Sequence, residues 1–397
     1  MASKDKPYRV YRGGRAKGPV PKEPAQGARR GGGGRGRPPD GQDPYGRRQP
    51  RRPRKGGARR VLRIVAVVVL VLVLLTVVWA FLGYLALRSG VKEANERLDS
   101  RAYAALAPQR GLLLTNPSTI LVLGTDEGPN RQGPFRSDAI MIVRTDPDEN
   151  RIALLSIPRD LRVTIPGRGT DKVNAAHAYG GPTLAVRTVE ALTGLEINHV
   201  VVVNFDRFRE VIDALGGITV NVPRRVLSNK FDCPRSTPAE CDRWPGWRFK
   251  KGPQEMNGRR ALVYSRVRQN QLDPSENDIT RGERQQAVLQ ATADEITSFG
   301  TFLRMPFIGD DLVEPLATDL STNQLLQLGW VKRRTPESGT LRCRLGGTIA
   351  DIDGQSFILG SEENVSVIAM VRGDSAPQPP RPGSGEFGPG CRVGRSG

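Results

Sequence analysis

Arginine and amide side chains cluster in one short stretch of this sequence. Arg266 and Arg268 are separated by a single residue. A second group follows in the sequence DITRGERQQ, with Asp278, Arg281, Arg284, Gln285 and Gln286. Arginine suits phosphate binding, because its planar guanidinium pairs with two oxygens at once and stays charged. The stretch therefore predicts a pocket for phosphate or pyrophosphate, and the alternative is a basic helix face in contact with water.

Two acidic residues lie at the ends of predicted strands. Asp126 follows the apolar run 119–124, and Asp138 opens the run 139–144. Ligands of α/β proteins bind at strand ends, and Mg²⁺ takes one or two carboxylates together with phosphate oxygens of a substrate. The pair predicts a Mg²⁺ site that faces the pyrophosphate. The alternative for either aspartate alone is a turn cap.

Further charged residues follow the predicted strand 151–157. Arg159 and Asp160 lie at its end, and Lys172 comes later, before a predicted helix. A surface salt bridge and a solvated lysine are the ordinary interpretations of these residues. With only two histidines in the chain, neither a Ser-His-Asp triad nor a histidine-rich zinc site is expected. No Gly-x-x-x-x-Gly-Lys-Ser/Thr loop for nucleotide phosphates occurs either.

Short apolar runs alternate with helical patterns from residue 119 onward. The predicted strands are 119–124, 139–144, 151–157, 200–205 and 218–222. The predicted helices are 184–192, 208–215, 256–264 and 281–298. This alternation predicts an α/β fold, a three-layer α/β/α sandwich around a mixed central sheet. The proline-rich residues 229–246 predict an inserted surface loop.

The first 87 residues differ in composition from the rest. Residues 1–63 hold 20 Lys and Arg against four acids, so they carry +16 of the net charge of +19. Such a composition predicts a disordered cytoplasmic tail. The uncharged run 64–87 would span about 36 Å as a helix, more than a hydrocarbon core of ~30 Å. We expect a single transmembrane helix with a cytoplasmic N-terminus by the positive-inside rule; a cleaved signal peptide is the alternative.

The rest of the chain is expected outside the cytoplasm. It divides into a stalk at 88–115, a catalytic domain at 116–373 and a Pro- and Gly-rich tail at 374–397. All four cysteines lie there, where disulfides persist: Cys233, Cys241, Cys343 and Cys391. Of the three possible connectivities we favour the sequence-local pairs, Cys233 with Cys241 and Cys343 with Cys391. Chain entropy makes these pairs worth roughly 2.6 and 4 kcal/mol.

Seven segments between Thr119 and Ala291 match the motifs of one family, in order. They are LVLGTD, RSDAIMIV, LLSIPRDLRVTIPG, DKVNAAHAYGG, NFDRFREVIDALGGITVNV, MNGRRALVYSRVR and DITRGERQQ. Through them the chain resembles the LytR-CpsA-Psr family of bacterial envelope proteins. The resemblance implies a membrane-anchored enzyme that moves a glycopolymer from a polyprenyl-pyrophosphate carrier onto the 6-hydroxyl of muramic acid in peptidoglycan. The product would be an anchored teichoic acid, capsule or arabinogalactan.

The resemblance also implies roles for individual residues. Asp126 and Asp138 would hold Mg²⁺. The expected catalytic residues are Asp138, Arg159, Arg266 and Arg268. The expected pyrophosphate ligands are Arg136, Lys172, Arg281 and Gln285, and Arg284 of the same stretch completes the set. In the expected reaction the muramyl hydroxyl attacks the phosphorus nearest the sugar, polyprenyl phosphate leaves, and a carboxylate, Asp138 or Asp160, accepts the proton.

Two other functions are compatible with the same residues. A hydrolase of lipid-linked pyrophosphates would use water as the acceptor. A non-catalytic envelope regulator or polyanion receptor would bind without turnover. The basic tail would contact anionic lipid of the adjacent membrane, and no specific nucleic-acid partner is expected.

Overall fold

The computed structural model describes residues 56–125, 135–274, 276, 278–381 and 388–394. The chain divides into two units, Met1–Leu62 and Arg63–Gly397. The described part of the first unit is the beginning of helix α1. The helices are α1 (Gly56–Glu96), α2 (Ser100–Tyr103), α3 (Ala175–Thr193), α4 (Phe205–Ala214), α5 (Pro238–Arg243), α6 (Gly258–Arg266), α7 (Asp278–Ile296), α8 (Phe299–Ile308), α9 (Thr322–Arg334) and α10 (Glu363–Arg372).

The strands fall into one large sheet and several two-stranded ribbons. They are β1 (Ser118–Thr125), β2 (Ser137–Asp146), β3 (Arg151–Ser156), β4 (Arg162–Ile165), β5 (Gly169–Lys172), β6 (His199–Asn204), β7 (Ile218–Val222), β8 (Val226–Leu227), β9 (Arg248–Phe249), β10 (Gly252–Met256), β11 (Leu316–Thr318), β12 (Thr340–Arg344), β13 (Gly347–Ile352), β14 (Gln355–Gly360) and β15 (Gly390–Val393). The large sheet has seven strands in the order β11-β6-β1-β2-β3-β12-β15.

This sheet is mixed, as predicted. β1 pairs in parallel with β6, and β3 in parallel with β12, whereas β2 runs antiparallel to both β1 and β3. Helices α3 and α10 pack on one face, where Leu121, Ile142 and Leu155 are fully buried. Helices α7 and α9 cover the other face through Leu289 and Val331. The predicted three-layer α/β/α sandwich is confirmed.

Four of the five predicted strands lie in this sheet, as β1, β2, β3 and β6. The fifth, 218–222, forms β7 but pairs with β10 in a separate ribbon. The sequence did not predict β11, β12 and β15. These strands have only three to five residues, and β12 and β15 carry arginines, so their apolar pattern is weak.

Helix α1 is long and apolar enough to cross a membrane between Arg59 and Glu96. The predicted transmembrane run 64–87 lies wholly within it, and its apolar side chains from Ile64 to Leu82 are mostly exposed. That exposure is expected of a helix that contacts lipid.

The segment 88–115 packs on the domain and is not a separate stalk. Ala94 and Ala102 are fully buried, as is Leu113, and Leu98 is 6% exposed. The small side chains allow α1 and α2 to approach the domain closely. The folded domain therefore begins before residue 116.

The C-terminal boundary also differs from the prediction. Residues 374–397 were expected to be a tail held by Cys391, but β15 adds a strand to the edge of the central sheet through antiparallel pairing with β12. Disulfides join Cys343 to Cys391, in these two strands, and Cys233 to Cys241, in the predicted surface loop. Both favoured disulfide pairs are confirmed.

Candidate active site

The functional candidates meet at one edge of the sheet, where β1 and β3 end and β2 begins. β2 begins beside the end of β1, because Thr125 pairs with Ser137, and beside the end of β3, because Met141 pairs with Ser156. Antiparallel neighbours therefore place Asp138, the second residue of β2, next to the residues that follow β3. Among these are Arg159 and Asp160.

Asp138 is held by arginines. Its Oδ1 accepts a hydrogen bond from Nη1 of Arg159 at 2.7 Å, and its Oδ2 lies 3.9 Å from Nη2 of Arg268. Burial raises the pKa of Asp138, but the hydrogen bond from Arg159 and the surrounding positive charges lower it by more. The pKa is therefore below its ordinary value, and the side chain is a carboxylate at neutral pH.

Asp160 links two further predicted residues. Its Oδ2 accepts a hydrogen bond from Nε of Arg159 at 3.1 Å, and its Oδ1 lies 3.3 Å from Nζ of Lys172. The surface salt bridge expected of Arg159 and Asp160 is instead part of a half-buried network, with side chains 19% and 21% exposed. Sequence adjacency alone does not reveal this, because Lys172 comes from β5.

Helix α7 brings Arg281 to the same place. Nη2 of Arg281 donates to the main-chain oxygen of Asp138 at 3.2 Å. The approach is close because a Cβ at Gly282 would lie 2.6 Å from Oγ of Ser156, at the end of β3. A larger residue at 282 would move α7 away from the strand ends. We call this set the Asp138 cluster: Asp138, Asp160, Arg159, Lys172, Arg268 and Arg281.

Arg266 and Arg268 point to different partners. Helix α6 ends at Arg266, and the next residue, Val267, is extended and fully buried. Arg268 reaches Asp138, whereas Nη1 of Arg266 pairs with Oδ2 of Asp232 in the disulfide-bonded loop. The guanidinium of Arg266 also lies over the rings of Phe205 and Phe231, at 5.8 and 5.9 Å from their centroids. No motif of the sequence indicates that Asp232 is the partner of Arg266.

Arg284 is buried in the domain and pairs with an acidic side chain. It is 5% exposed, and its guanidinium pairs with Glu276 and donates to the main-chain oxygen of Val267 at 2.9 Å. Burial lowers the pKa of Arg284 to about 10, so it remains charged at neutral pH. Arg224 lies 3.5 Å from Glu276 and 3.1 Å from Asp273. We call the four charged residues the Glu276 cluster: Glu276, Asp273, Arg224 and Arg284. We assign Arg284 to this cluster instead of to the pyrophosphate ligands.

Two other candidates lie near the site, and a third lies outside the described residues. Arg136 is exposed just before β2, and its charge acts on Tyr179 of α3. Gln285 is half-buried on α7, one turn after Arg281. Asp126, predicted as a metal ligand, lies outside the described residues.

The described residues contain no group of three or more His, Cys, Asp or Glu side chains that could hold a metal ion. They do contain oxygen ligands at the strand ends. The hydroxyl oxygens of Thr125 and Ser137 are buried, and within the described ranges neither has a hydrogen-bond partner. Together with the Asp138 carboxylate, they are the oxygen type that Mg²⁺ binds.

His177 lies on α3 close to this edge of the sheet. Its Nδ1 is 3.3 Å from the main-chain oxygen of Phe135, and burial lowers its pKa to about 4. The imidazole is therefore neutral at physiological pH.

The LytR_cpsA_psr family model matches residues 84–370, well over half of the chain. The chain belongs to this family. The match begins inside α1 and ends in α10, so it includes the whole Asp138 cluster and the segment that was predicted as a stalk.

Curated relatives share this region. The chain is 35% identical over 215 residues to the polyisoprenyl-teichoic acid–peptidoglycan teichoic acid transferase TagU of Oceanobacillus iheyensis, an alignment that covers 53% of this chain and 61% of the relative. It is 31% identical over 253 residues to TagV of Bacillus subtilis, a transferase of the same description, with 62% of each chain covered. The chain thus spans about three fifths of the length of these relatives.

Solved structures have the same fold. The B. subtilis TagV structure has a TM-score of 0.54 at 27% identity, with 66% of this chain and 99% of that chain covered. TagT bound to LIIa-WTA has a TM-score of 0.53 at 28% identity, with 67% and 93% covered.

Proposed function

We propose that this protein transfers a glycopolymer from a polyprenyl-pyrophosphate carrier to peptidoglycan and forms a phosphodiester to muramic acid. The observation that carries the proposal is the Asp138 cluster. Four cationic and two anionic side chains of the described residues meet there at strand ends; Arg281 is 5% exposed and the other five side chains are 16% to 46% exposed. The descriptions of the relatives as teichoic acid transferases support the same chemistry.

The charge of the cluster suits a pyrophosphate. A pyrophosphate that enters a partly dry site loses hydration, and this loss is tolerable only where cations replace the water. Arg159, Arg268 and Arg281 approach Asp138 from three separate elements of the fold. Such convergence allows the arginines to contact both phosphate groups from different sides.

In the proposed reaction the hydroxyl oxygen of muramic acid bonds to the phosphorus nearest the sugar. The bond from that phosphorus to the bridging oxygen breaks, and polyprenyl phosphate leaves with the electron pair. The arginines stabilise the negative charge that develops on the phosphate oxygens. Because its pKa is lowered, Asp138 is a weak base, so we assign it to holding cations. The proton of the attacking hydroxyl passes to the carboxylate of Asp160, the other acid of the cluster.

Mg²⁺ dependence is part of the proposal. Asp126 and Asp138 would hold the ion, and the buried hydroxyl oxygens of Thr125 and Ser137 lie at the same strand ends. When bound, the ion would neutralise charge on the phosphate oxygens. Chelation by EDTA should abolish transfer and added Mg²⁺ should restore it; transfer that continues in EDTA contradicts this part.

The polyprenyl chain requires an apolar surface. The sheet face under α7 and α9 offers one, because Val122, Val143 and Leu289 are only partly buried there. On the opposite face Leu121 and Ile142 are fully buried. We propose that the lipid lies along the less tightly packed face.

The location follows from the anchor. α1 is the proposed membrane span, with the basic N-terminal residues in the cytoplasm and the catalytic domain outside it. The two disulfides of the domain support an extracytoplasmic position, because disulfides persist in oxidising compartments.

The test incubates the full chain in phospholipid vesicles with a polyprenyl-pyrophosphate-linked oligosaccharide, Mg²⁺ and peptidoglycan oligomer. Mass spectrometry should detect the muramyl phosphodiester, and Asp138→Ala should abolish it. Release of oligosaccharide phosphate without the diester would contradict the proposal in favour of a hydrolase. Binding without turnover would contradict it in favour of a receptor.

A further inference from the structure

Helix α8 exposes an unusual amount of apolar surface. Four large side chains in its ten residues are exposed: Phe299 by 72%, Phe302 by 40%, Leu303 by 47% and Phe307 by 71%. Their spacing places them on one face of the helix. Exposed apolar clusters of this kind mark contact with a protein or a membrane.

The opposite side of α8 is fixed to the domain. Nη2 of Arg304 donates to the main-chain oxygen of Leu215 at 2.6 Å, and Met305 and Ile308 pack against a buried cluster of the domain. At its N-terminus, Oγ of Ser298 accepts a hydrogen bond from the main-chain nitrogen of Thr301 at 3.1 Å. The helix is therefore held in one orientation, with its aromatic face outward.

α8 packs against the part of α1 between Trp79 and Gly90. The rings of Phe307 and Trp79 meet edge to face, with centroids 5.5 Å apart. A Cβ at Gly83 would lie 3.0 Å from Cγ of Met305, and one at Gly90 would lie 2.5 Å from the main-chain oxygen of Asp310. Small residues permit this close approach, as they do between helices in membranes.

The depth of this contact decides what covers the exposed face. The uncharged run of α1 ends at Leu87, and Trp79 comes eight residues earlier, about 12 Å along the helix. Phe307 therefore lies beside the part of α1 that is apolar and exposed, where Phe81 is 59% and Leu82 46% exposed. The aromatic face of α8 continues the surface that α1 presents to lipid.

We propose that α8 is embedded in the bilayer interface beside α1 and that its occupant is phospholipid. Helices that lie in this interface carry Phe and Leu on an apolar face, which is buried about 5–10 Å at the boundary between headgroups and acyl chains. The inference rests on α1 as the membrane span and is independent of the transfer reaction. A second contact besides α1 fixes the domain against the bilayer.

The embedded helix has a consequence for the site. α8 follows α7 directly, and Arg281 lies about 22 Å along α7 from Ile296, next to α8. On this proposal the Asp138 cluster lies at most about 22 Å along α7 from the embedded helix, and the substrate is carried by a lipid of the same membrane.

Photocrosslinking of the full chain in phospholipid vesicles tests the proposal. p-Benzoylphenylalanine replaces Phe299 or Phe307, and in a matched control it replaces Val365, which lies on α10 and is also 72% exposed. Position 73 in the span serves as the positive control. After irradiation, mass spectrometry should find phospholipid adducts at 299, 307 and 73, and none at 365.

Three results would overturn the proposal. One is the absence of lipid adducts at 299 and 307 while position 73 is labelled. Another is equal labelling at 365, because exposure alone would then explain the adducts. The third is a crosslink from 299 or 307 to a second copy of the chain, which would make the aromatic face a protein interface.

Discussion

Two arginines of α7 lie three residues apart and have different surroundings. Arg281 is 5% exposed and belongs to the Asp138 cluster, whose five other side chains are 16% to 46% exposed. Arg284 is also 5% exposed and belongs to the Glu276 cluster, where the side chain of Glu276 is 1% exposed. The other two side chains of that cluster, Arg224 and Asp273, are 47% and 34% exposed. The two arginines are therefore equally buried and differ in their partners: Arg284 pairs with a buried carboxylate, whereas Arg281 donates to the main-chain oxygen of Asp138.

The balance of charge separates the two clusters as well. The Glu276 cluster pairs two arginines with two carboxylates, whereas the Asp138 cluster joins four cations to two carboxylates among the described residues. In the Glu276 cluster the buried pair of Arg284 and Glu276 holds the fold together. In the Asp138 cluster the described cations outnumber the described carboxylates, as expected of a site that receives an anion.

Breaking the Glu276 cluster should have the largest effect, and this effect should be on the stability of the fold. Arg284→Ala leaves the buried Glu276 without its main partner, and loss of one partner of a buried pair costs about 3 to 5 kcal/mol. Thermal unfolding of the full chain in detergent measures this loss. Arg187→Ala, at an exposed position of α3, is the control and should leave the melting temperature unchanged. A similar melting temperature for both variants would show that the Glu276 cluster is not structural.

Breaking the Asp138 cluster should lower the rate of transfer and leave the stability of the fold largely unchanged. Arg281→Ala or Arg268→Ala removes a cation from the proposed phosphate site, and loss of one such group lowers turnover by about 100-fold or more. Quantification of the muramyl phosphodiester checks this, with the melting temperature as the control for folding. Undiminished transfer by a folded variant would remove the residue from the site.

His177 adds a pH-dependent test near the Asp138 cluster, because its imidazole is buried and neutral. Between its ordinary pKa of 6.5 and its folded value of about 4, only the unfolded chain binds the proton. The free energy of unfolding therefore falls as the pH falls through this range, by at most about 3 kcal/mol. The contribution of Asp138 is lost only below pH 3.8, since its pKa is lowered.

Unfolding at several pH values between 7 and 4 compares the wild type with His177→Gln. The variant should show the smaller decline. Parallel curves for the two proteins would mean that another group causes the acid sensitivity.

The smallest stability effect is expected at Arg266. This arginine and Asp232 have side chains 35% and 39% exposed, and exposed pairs contribute about 1 kcal/mol or less. Asp232→Ala should therefore change the melting temperature little and leave transfer intact. Arg266→Ala should lower transfer, as its predicted catalytic role requires, so equal transfer rates for the two variants would argue against that role.

The sequence predicted those parts of the fold whose residues are buried on both faces. The runs in β1, β2, β3 and β6 are continuous and apolar, and their short length and their content of Val, Ile and Leu favour buried strands. The strand β12, with the sequence TLRCR, has two arginines in five residues, so its place in the sheet depends on neighbours that the pattern does not encode.

The site was predictable where residues adjoin strand ends. Asp138 and Arg159 meet because β2 and β3 are antiparallel, which the order of the elements makes plausible. The separation of Arg281 from Arg284 was not predictable, because it depends on Glu276, which lies in the stretch between Arg268 and α7. The divergence of Arg266 from Arg268 follows from the exact residue at which α6 ends.

The most direct test of the central claim measures binding of a short-chain polyprenyl pyrophosphate to the full chain by titration calorimetry. It compares Arg281→Ala with Glu276→Gln, a variant that removes charge from the Glu276 cluster while keeping the shape of the side chain. We predict that Arg281→Ala weakens binding by about tenfold or more, as expected for the loss of one charge-assisted contact, and that folded Glu276→Gln binds as the wild type does. Unchanged binding by Arg281→Ala, or weakened binding by Glu276→Gln alone, would contradict the assignment of the pyrophosphate to the Asp138 cluster.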